Sequence, residues 1–63
     1  MSSLGNKIKY YRTKKGLTRR TLANAIDITE NGLYKIETDQ RTPSFTVVAA
    51  IAKALGVDVG EFV

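Results

Sequence analysis

The side chains of this sequence that could do chemistry are nearly all charged. There are ten Lys and Arg against six Asp and Glu, with no His, no Cys and no Trp. Without Cys there is no thiolate nucleophile and no disulfide framework. Without His or Cys a transition-metal site would have to be built from carboxylates alone, and the commonest general base is missing. The close carboxylate pairs Asp27/Glu30 and Glu37/Asp39 have no partner group that would make them an acid–base couple. We therefore expect no enzyme, no metal, no cofactor and no small-molecule ligand. The chemistry that remains is binding by charge and hydrogen bonding.

The charge is distributed unevenly. Residues 1–26 contain Lys7, Lys9, Arg12, Lys14, Lys15, Arg19 and Arg20 and no acid. Residues 27–63 contain Lys35, Arg41 and Lys53 against Asp27, Glu30, Glu37, Asp39, Asp58 and Glu61. The first part carries +7 and the second −3, within a net charge of +4. Such asymmetry points to a polyanion as partner, either nucleic acid or an anionic membrane surface. The alternative is a solvated face that keeps the protein soluble.

The elements that must position these groups are few. The chain has 63 residues, enough for one domain. At this size folding buries only about 60% of the surface that the unfolded chain exposes. Hydrophobic residues make up 43% and charged residues 25%, an ordinary globular composition. No apolar run approaches the roughly 20 residues of a membrane span. The first residues have no apolar segment of the secretory kind, so the expected setting is the cytoplasm.

Apolar spacing predicts helices throughout and no strands. Leu4, Ile8 and Tyr11 share a helical face, with Ser3 as N-cap and Gly16 as the left-handed stop. Thr18 caps a short second helix, about Arg19 to Ile26, with Leu22, Ala23 and Ile26 on one face. Asp27 and Ile28 form a brief connection. Thr29 caps a third helix through Leu33 and Ile36 to about Thr38, with Glu30 at its positive end. Gly32 inside it costs about 1 kcal/mol relative to Ala. It either allows a close approach of DNA to the backbone or is simply tolerated. After a loop at 39–43, Ser44 caps a fourth helix, about Phe45 to Leu55, that ends at Gly56. Its buried stripe is Phe45, Val48, Ile51, Ala52 and Leu55. Val57, Val59, Phe62 and Val63 suggest a short fifth helix after Asp58.

Residues 18–37 thus hold two short helices joined by about three residues, the spacing of a helix-turn-helix. A helix about 10–12 Å across fits the major groove of B-DNA, and its first residues reach base edges. The preceding helix lies over the DNA backbone, where Arg19 in its first turn is placed for a phosphate. Thr29, Glu30, Asn31 and Lys35 form the polar face of the third helix.

The order and spacing of these residues resemble the phage-repressor-type (Cro-like, XRE family) helix-turn-helix domain over nearly the whole chain. Leu4-Gly5-Asn6-Lys7-Ile8, Tyr11-Arg12, Lys15-Gly16-Leu17-Thr18 and Leu22-Ala23 carry the resemblance in the first half. Ile28-Thr29, Leu33, Lys35-Ile36-Glu37, Arg41-Thr42-Pro43-Ser44 and 51–57 complete it. The resemblance implies an all-α, compact five-helix domain over residues 1–63 that binds operator DNA as a symmetric dimer. It implies base contacts from Thr29, Glu30, Asn31 and Lys35. Asn suits adenine, and Glu accepts from the cytosine amine. It implies a salt bridge between Arg12 and Glu37 that turns Arg12 toward a phosphate. Arg41 would reach a phosphate or the minor groove, or remain a solvated loop residue.

The sequence departs from the family pattern at four places. Asp27 and Asp39 stand where Gly is common, and Asp accepts the left-handed conformation better than most residues. Arg19 stands where Gln is frequent, which still favours a phosphate. Tyr34 stands where a small residue is frequent, so it either touches the DNA backbone itself or covers the helix face.

The fourth helix also carries Val47, Ala49, Ala50 and Ala54 outside its buried stripe. With Val59 and Val63, the residues Ala50 and Ala54 make an expected homodimer interface. Alanine chosen for helix propensity is the plainer explanation. The expected function is transcriptional regulation, as a repressor on an inverted-repeat operator of double-stranded DNA. The alternative is a protein-interaction module, antitoxin-like or a regulator's partner, on the same fold. A membrane-surface role for the first helix, with Tyr10 and Tyr11, is disfavoured because its narrow apolar face is needed for the core.

Overall fold

Four side-chain caps set where the helices begin. In the computed structural model, which describes residues 3–63, α1 spans Leu4–Lys14, α2 Arg19–Ala25, α3 Glu30–Glu37 and α4 Phe45–Leu55. Ser3, Thr18, Thr29 and Ser44 each sit in extended backbone and accept a hydrogen bond from the amide three residues on. Each such bond satisfies one of the free donors at a helix start and contributes about 1 kcal/mol. Gly16 (φ +81°) and Gly56 (φ +69°) turn the chain out of α1 and α4 in the left-handed conformation. Asp27 (φ 61°) and Asp39 (φ 62°) do the same without glycine, as the sequence leads one to expect.

The fold is all-α, with no strand among the described residues. The fifth helix is shorter than expected. Val59–Glu61 is a single 3₁₀ turn, capped by Asp58 and closed by bonds to the third residue back. Gly60 in its middle disfavours a full α-helical turn.

The core is one cluster of Ile8, Leu22, Ala23, Leu33, Ile36, Val48, Ile51, Ala52, Leu55 and Phe62. All four helices and the closing turn contribute to it. Phe45 does not join the stripe of α4, for it is 65% exposed. It is the first helical residue, beside the polar loop 38–44, and no element covers it. Val63 is exposed as well, whereas Ala54 and Val59 lean on the domain's own core.

One close approach joins α1 to α3. A Cβ at Gly5 would lie 2.5 Å from the Glu37 carbonyl oxygen and 2.6 Å from that of Ile36. Backbone cannot yield as a flexible side chain can. Gly5→Ala is therefore expected to destabilise by about 1–3 kcal/mol or more. Each kcal/mol lowers Tm by roughly 4–8 °C in a domain of this size. A thermal melt within a degree of wild type would mean that the helices separate easily here.

Asp39 reinforces the same junction. Its carboxylate accepts from the Ser3 hydroxyl at 2.6 Å and from the Gly5 amide at 3.1 Å. The loop after α3 thereby caps the start of α1 from 34–36 residues away in sequence.

At the other end of α1, the Tyr11 hydroxyl donates to Glu61 at 2.6 Å, and its ring packs edge-on to Phe62. The bond to the Glu61 carboxylate, with smaller help from desolvation, raises the Tyr11 pKa above the ordinary value of 10.0. Ionising Tyr11 would lose that bond. Its contribution to stability is complete below the unfolded pKa and is lost as pH rises through the higher folded one. In an ultraviolet titration one of the three tyrosines is expected to ionise last, and Tyr11→Phe to abolish that late step. Three tyrosines titrating together in the folded protein would contradict it.

Candidate nucleic-acid interface

The helix-turn-helix is built by a tight reversal between α2 and α3. The Ile28 amide donates back to the Ala23 carbonyl at 3.0 Å, and Asp27 supplies the left-handed residue. Ala23 is buried at the crossing, where a larger side chain would push the helices apart. Ile26 and Ile28 pack against the core on either side of the turn.

That packing decides which face of α3 is free. Leu33 and Ile36 point inward, and Thr29, Glu30, Asn31 and Tyr34 are exposed. Lys35 is half-buried. An eight-residue helix is about 12 Å long, so its exposed first turn can enter a major groove. Asn31 has no hydrogen-bond partner among the described residues. The Thr29 oxygen already accepts from the Gly32 amide at 2.9 Å, which leaves its hydroxyl proton for another acceptor. Glu30 lies 3.7 Å from Arg20, with both side chains largely in solvent. Such a pair contributes little to stability, but it offsets the acid's repulsion from a phosphate.

Gly32 is buried, and the space beside it is filled by protein. A Cβ there would sit 3.0 Å from Thr29 Oγ1 and 3.5 Å from Arg41 Nη1. The glycine therefore makes room for the Thr29 cap and for Arg41. Arg41 is brought there by its own loop, since the Gln40 and Arg41 amides both donate to the Lys35 carbonyl, at 2.8 and 3.2 Å. The Arg41 side chain stays exposed alongside α3.

Arg12 reaches from α1 to the end of α3. It is 6% exposed. Its Nε and Nη2 donate to Glu37 at 2.6 and 3.1 Å, and Nη1 donates to the Leu17 carbonyl at 2.8 Å. The expected ion pair between α1 and the end of α3 is present, and it is buried. With all three nitrogens engaged inside the protein, Arg12 ties α1 to the end of α3 and to the Leu17 carbonyl.

Glu37 binds a second arginine. Arg19 Nε donates to its Oε1 at 3.2 Å. The Arg19 guanidinium also lies over the Tyr34 ring, 5.1 Å from its centroid. Arg12, Glu37, Arg19 and Tyr34 thus form one connected set across α1, α2 and α3. Spacing along the chain gives no hint of the link from Glu37 to Arg19 or of the stack on Tyr34.

Part of the basic half lies elsewhere. Lys14 and Lys15 line a 210 Å³ cleft with Tyr11, Leu55 and Val57 at the end of α4. Lys7, Tyr10, Tyr11 and Glu61 line another of 340 Å³. Lys14 also sits 5.5 Å from the Tyr10 ring centroid. Of the expected interface residues on α4 and beyond, Ala50 is half-buried and Val63 is free. Among the described residues no three His, Cys, Asp or Glu side chains gather as metal ligands, and no helix is long and apolar enough to cross a membrane.

Comparison with known proteins agrees with this architecture. The helix-turn-helix family model matches residues 8–62. The immunity repressor protein of Bacillus phage phi105 is 34% identical over 61 residues, which is 97% of this chain and 42% of that protein. An uncharacterised HTH-type transcriptional regulator of Methanocaldococcus jannaschii is 35% identical over 56 residues, 89% of this chain and 85% of that one. Among solved structures, the clp gene regulator ClgR of Corynebacterium glutamicum superposes with a TM-score of 0.91 at 30% identity. The match covers 94% of this chain and 63% of ClgR. The restriction-modification controller protein C.AhdI of Aeromonas hydrophila gives 0.90 at 28% identity, covering 95% and 87%. The chain spans less than two thirds of the length of the phage repressor and of ClgR. With its two-helix unit and these relatives, the chain belongs to the helix-turn-helix family, in its phage-repressor-type branch.

Proposed function

We propose that residues 1–63 form a single helix-turn-helix domain that binds an inverted-repeat operator in double-stranded DNA as a homodimer and represses by occupying it. The reading is carried by the exposed first turn of α3. Thr29, Glu30 and Asn31 stand there free of the core, with Lys35 on the same helix, Arg41 near Gly32 and Arg19 over Tyr34. Side chains of these types match base edges in the major groove, and flanking arginines match the phosphates. Repression is the activity named for the phage relative. The homodimer would use Ala50, Ala54, Val59 and Val63, of which Val63 is the most exposed at 77%.

The test is selection of bound duplexes from a random DNA pool at physiological salt. Enrichment of an inverted repeat with half-sites about one helical turn apart is the expected result. A single enriched half-site would keep DNA reading and remove the dimer. Salt-sensitive binding with no enrichment would leave a basic surface, and the domain would then be better described as a protein-interaction module. Sedimentation addresses the dimer separately. A monomer at all concentrations, with and without operator, would rule it out.

A further inference from the structure

Arg19 at the start of α2 and Tyr34 on the exposed side of α3 meet in the fold. The Arg19 guanidinium lies over the Tyr34 ring at 5.1 Å, while its Nε is held by Glu37 at 3.2 Å. Glu37 is itself fixed, with its side chain 1% exposed and paired to Arg12. Arg19 is therefore restrained from two directions, by an ion pair at its inner edge and by an aromatic face along its plane. Its side chain remains 30% exposed. Among the described residues neither of its terminal nitrogens, Nη1 nor Nη2, has a hydrogen-bond partner. An arginine so held presents a preset pair of donors with the geometry that a phosphate oxygen pair accepts.

We infer that Tyr34 is a positioning residue, which stacks on Arg19 and, with Glu37, presets its free guanidinium edge as a clamp for one phosphodiester of the DNA backbone. This rests on the proposed DNA-binding function. Tyr34 then acts through its ring and through Arg19, and its hydroxyl makes no contact with the DNA. Restraining a long side chain in advance removes entropy that binding would otherwise have to take from it. The clamp reads no base, so it strengthens binding to every sequence alike.

The test combines a measurement on the free protein with one on the complex. By NMR, the Arg19 Nε proton of the free protein is expected to be slow to exchange and shifted by the Tyr34 ring. Tyr34→Phe should keep this signature and Tyr34→Leu should remove it. Tyr34 is exposed, so these variants are expected to fold, and circular dichroism checks it. Binding is then followed with a mixed-sequence DNA duplex, since a phosphate clamp needs no particular site. Tyr34→Phe is expected to bind as wild type does. Tyr34→Leu should lose roughly two- to fivefold, the scale of one cation–π contact at a partly exposed site. In the Arg19→Ala background, Tyr34→Leu should lose nothing further. A loss in Tyr34→Phe equal to that in Tyr34→Leu would show a direct hydroxyl contact and overturn the clamp. Additive losses from Arg19→Ala and Tyr34→Leu would also overturn it, with DNA binding intact. A wild-type protein that binds no duplex would overturn the regulator reading and the clamp together.

Discussion

Glu37→Ala is expected to leave the domain largely unfolded at room temperature. The Glu37 carboxylate is the anion for two arginines, and one of them, Arg12, is 6% exposed. Removing one partner of a buried ion pair typically destabilises by about 3–5 kcal/mol, because the other charge is left without compensation. A domain of this length has a total stability of the same order, at roughly 0.05–0.15 kcal/mol per residue. Urea unfolding followed by circular dichroism measures the loss. The pair itself contributes less than this figure suggests, since bringing both charges out of water is also unfavourable. Replacing both together, as Arg12→Met with Glu37→Leu, is accordingly expected to restore most of the stability. It would not restore the placement of Arg19, which would lose its anchor. A single Glu37→Ala variant as stable as wild type would mean that water reaches the Arg12 guanidinium.

The second large effect concerns DNA, and it separates two kinds of contact. Asn31→Ala is expected to cost about 1–3 kcal/mol on the preferred site, which is a loss of about five- to over a hundredfold. The loss should be confined to sequences with the matching base, so that specificity relaxes at one position of the half-site. Arg19→Ala should instead weaken binding to all sequences and lower the salt slope by about one. The difference follows from what each side chain meets: a base edge varies with sequence, and a phosphate does not. Titrations of both variants against the selected operator and a scrambled duplex, at several salt concentrations, distinguish them. A uniform loss in Asn31→Ala, or an unchanged salt slope in Arg19→Ala, would mean that the two roles are assigned to the wrong residues.

Much of the fold could be read along the chain. The four caps, the left-handed Gly16 and Gly56, and the two left-handed aspartates all depend on groups within about three residues of each other. Helical periodicity located the buried faces of α2 and α3, and with them the free face of the third helix. Where the reading failed, the reason was a neighbour that is absent or unforeseen. Phe45 has the spacing of a core residue, but nothing packs over the first turn of α4. Val59 and Phe62 suggested a further helix, yet with Gly60 in its middle the segment forms a 3₁₀ turn.

The local sequence therefore settled where each helix starts, where it stops and which side it buries, because capping, φ preference and periodicity act over one or two turns. The positive half and the polar face of α3 were likewise visible as residue types in order. The approach of α1 to α3 at Gly5 is a tertiary outcome. So are the enclosure of Arg12, the sharing of Glu37 by two arginines and the placement of Arg19 over Tyr34. Asp39 closing the start of α1 belongs to the same class. These contacts join residues 15 to 36 positions apart, across helices whose relative placement only packing decides. A charge in a sequence is a type and a position, but whether it is buried, shared or free depends on the atoms that fold against it.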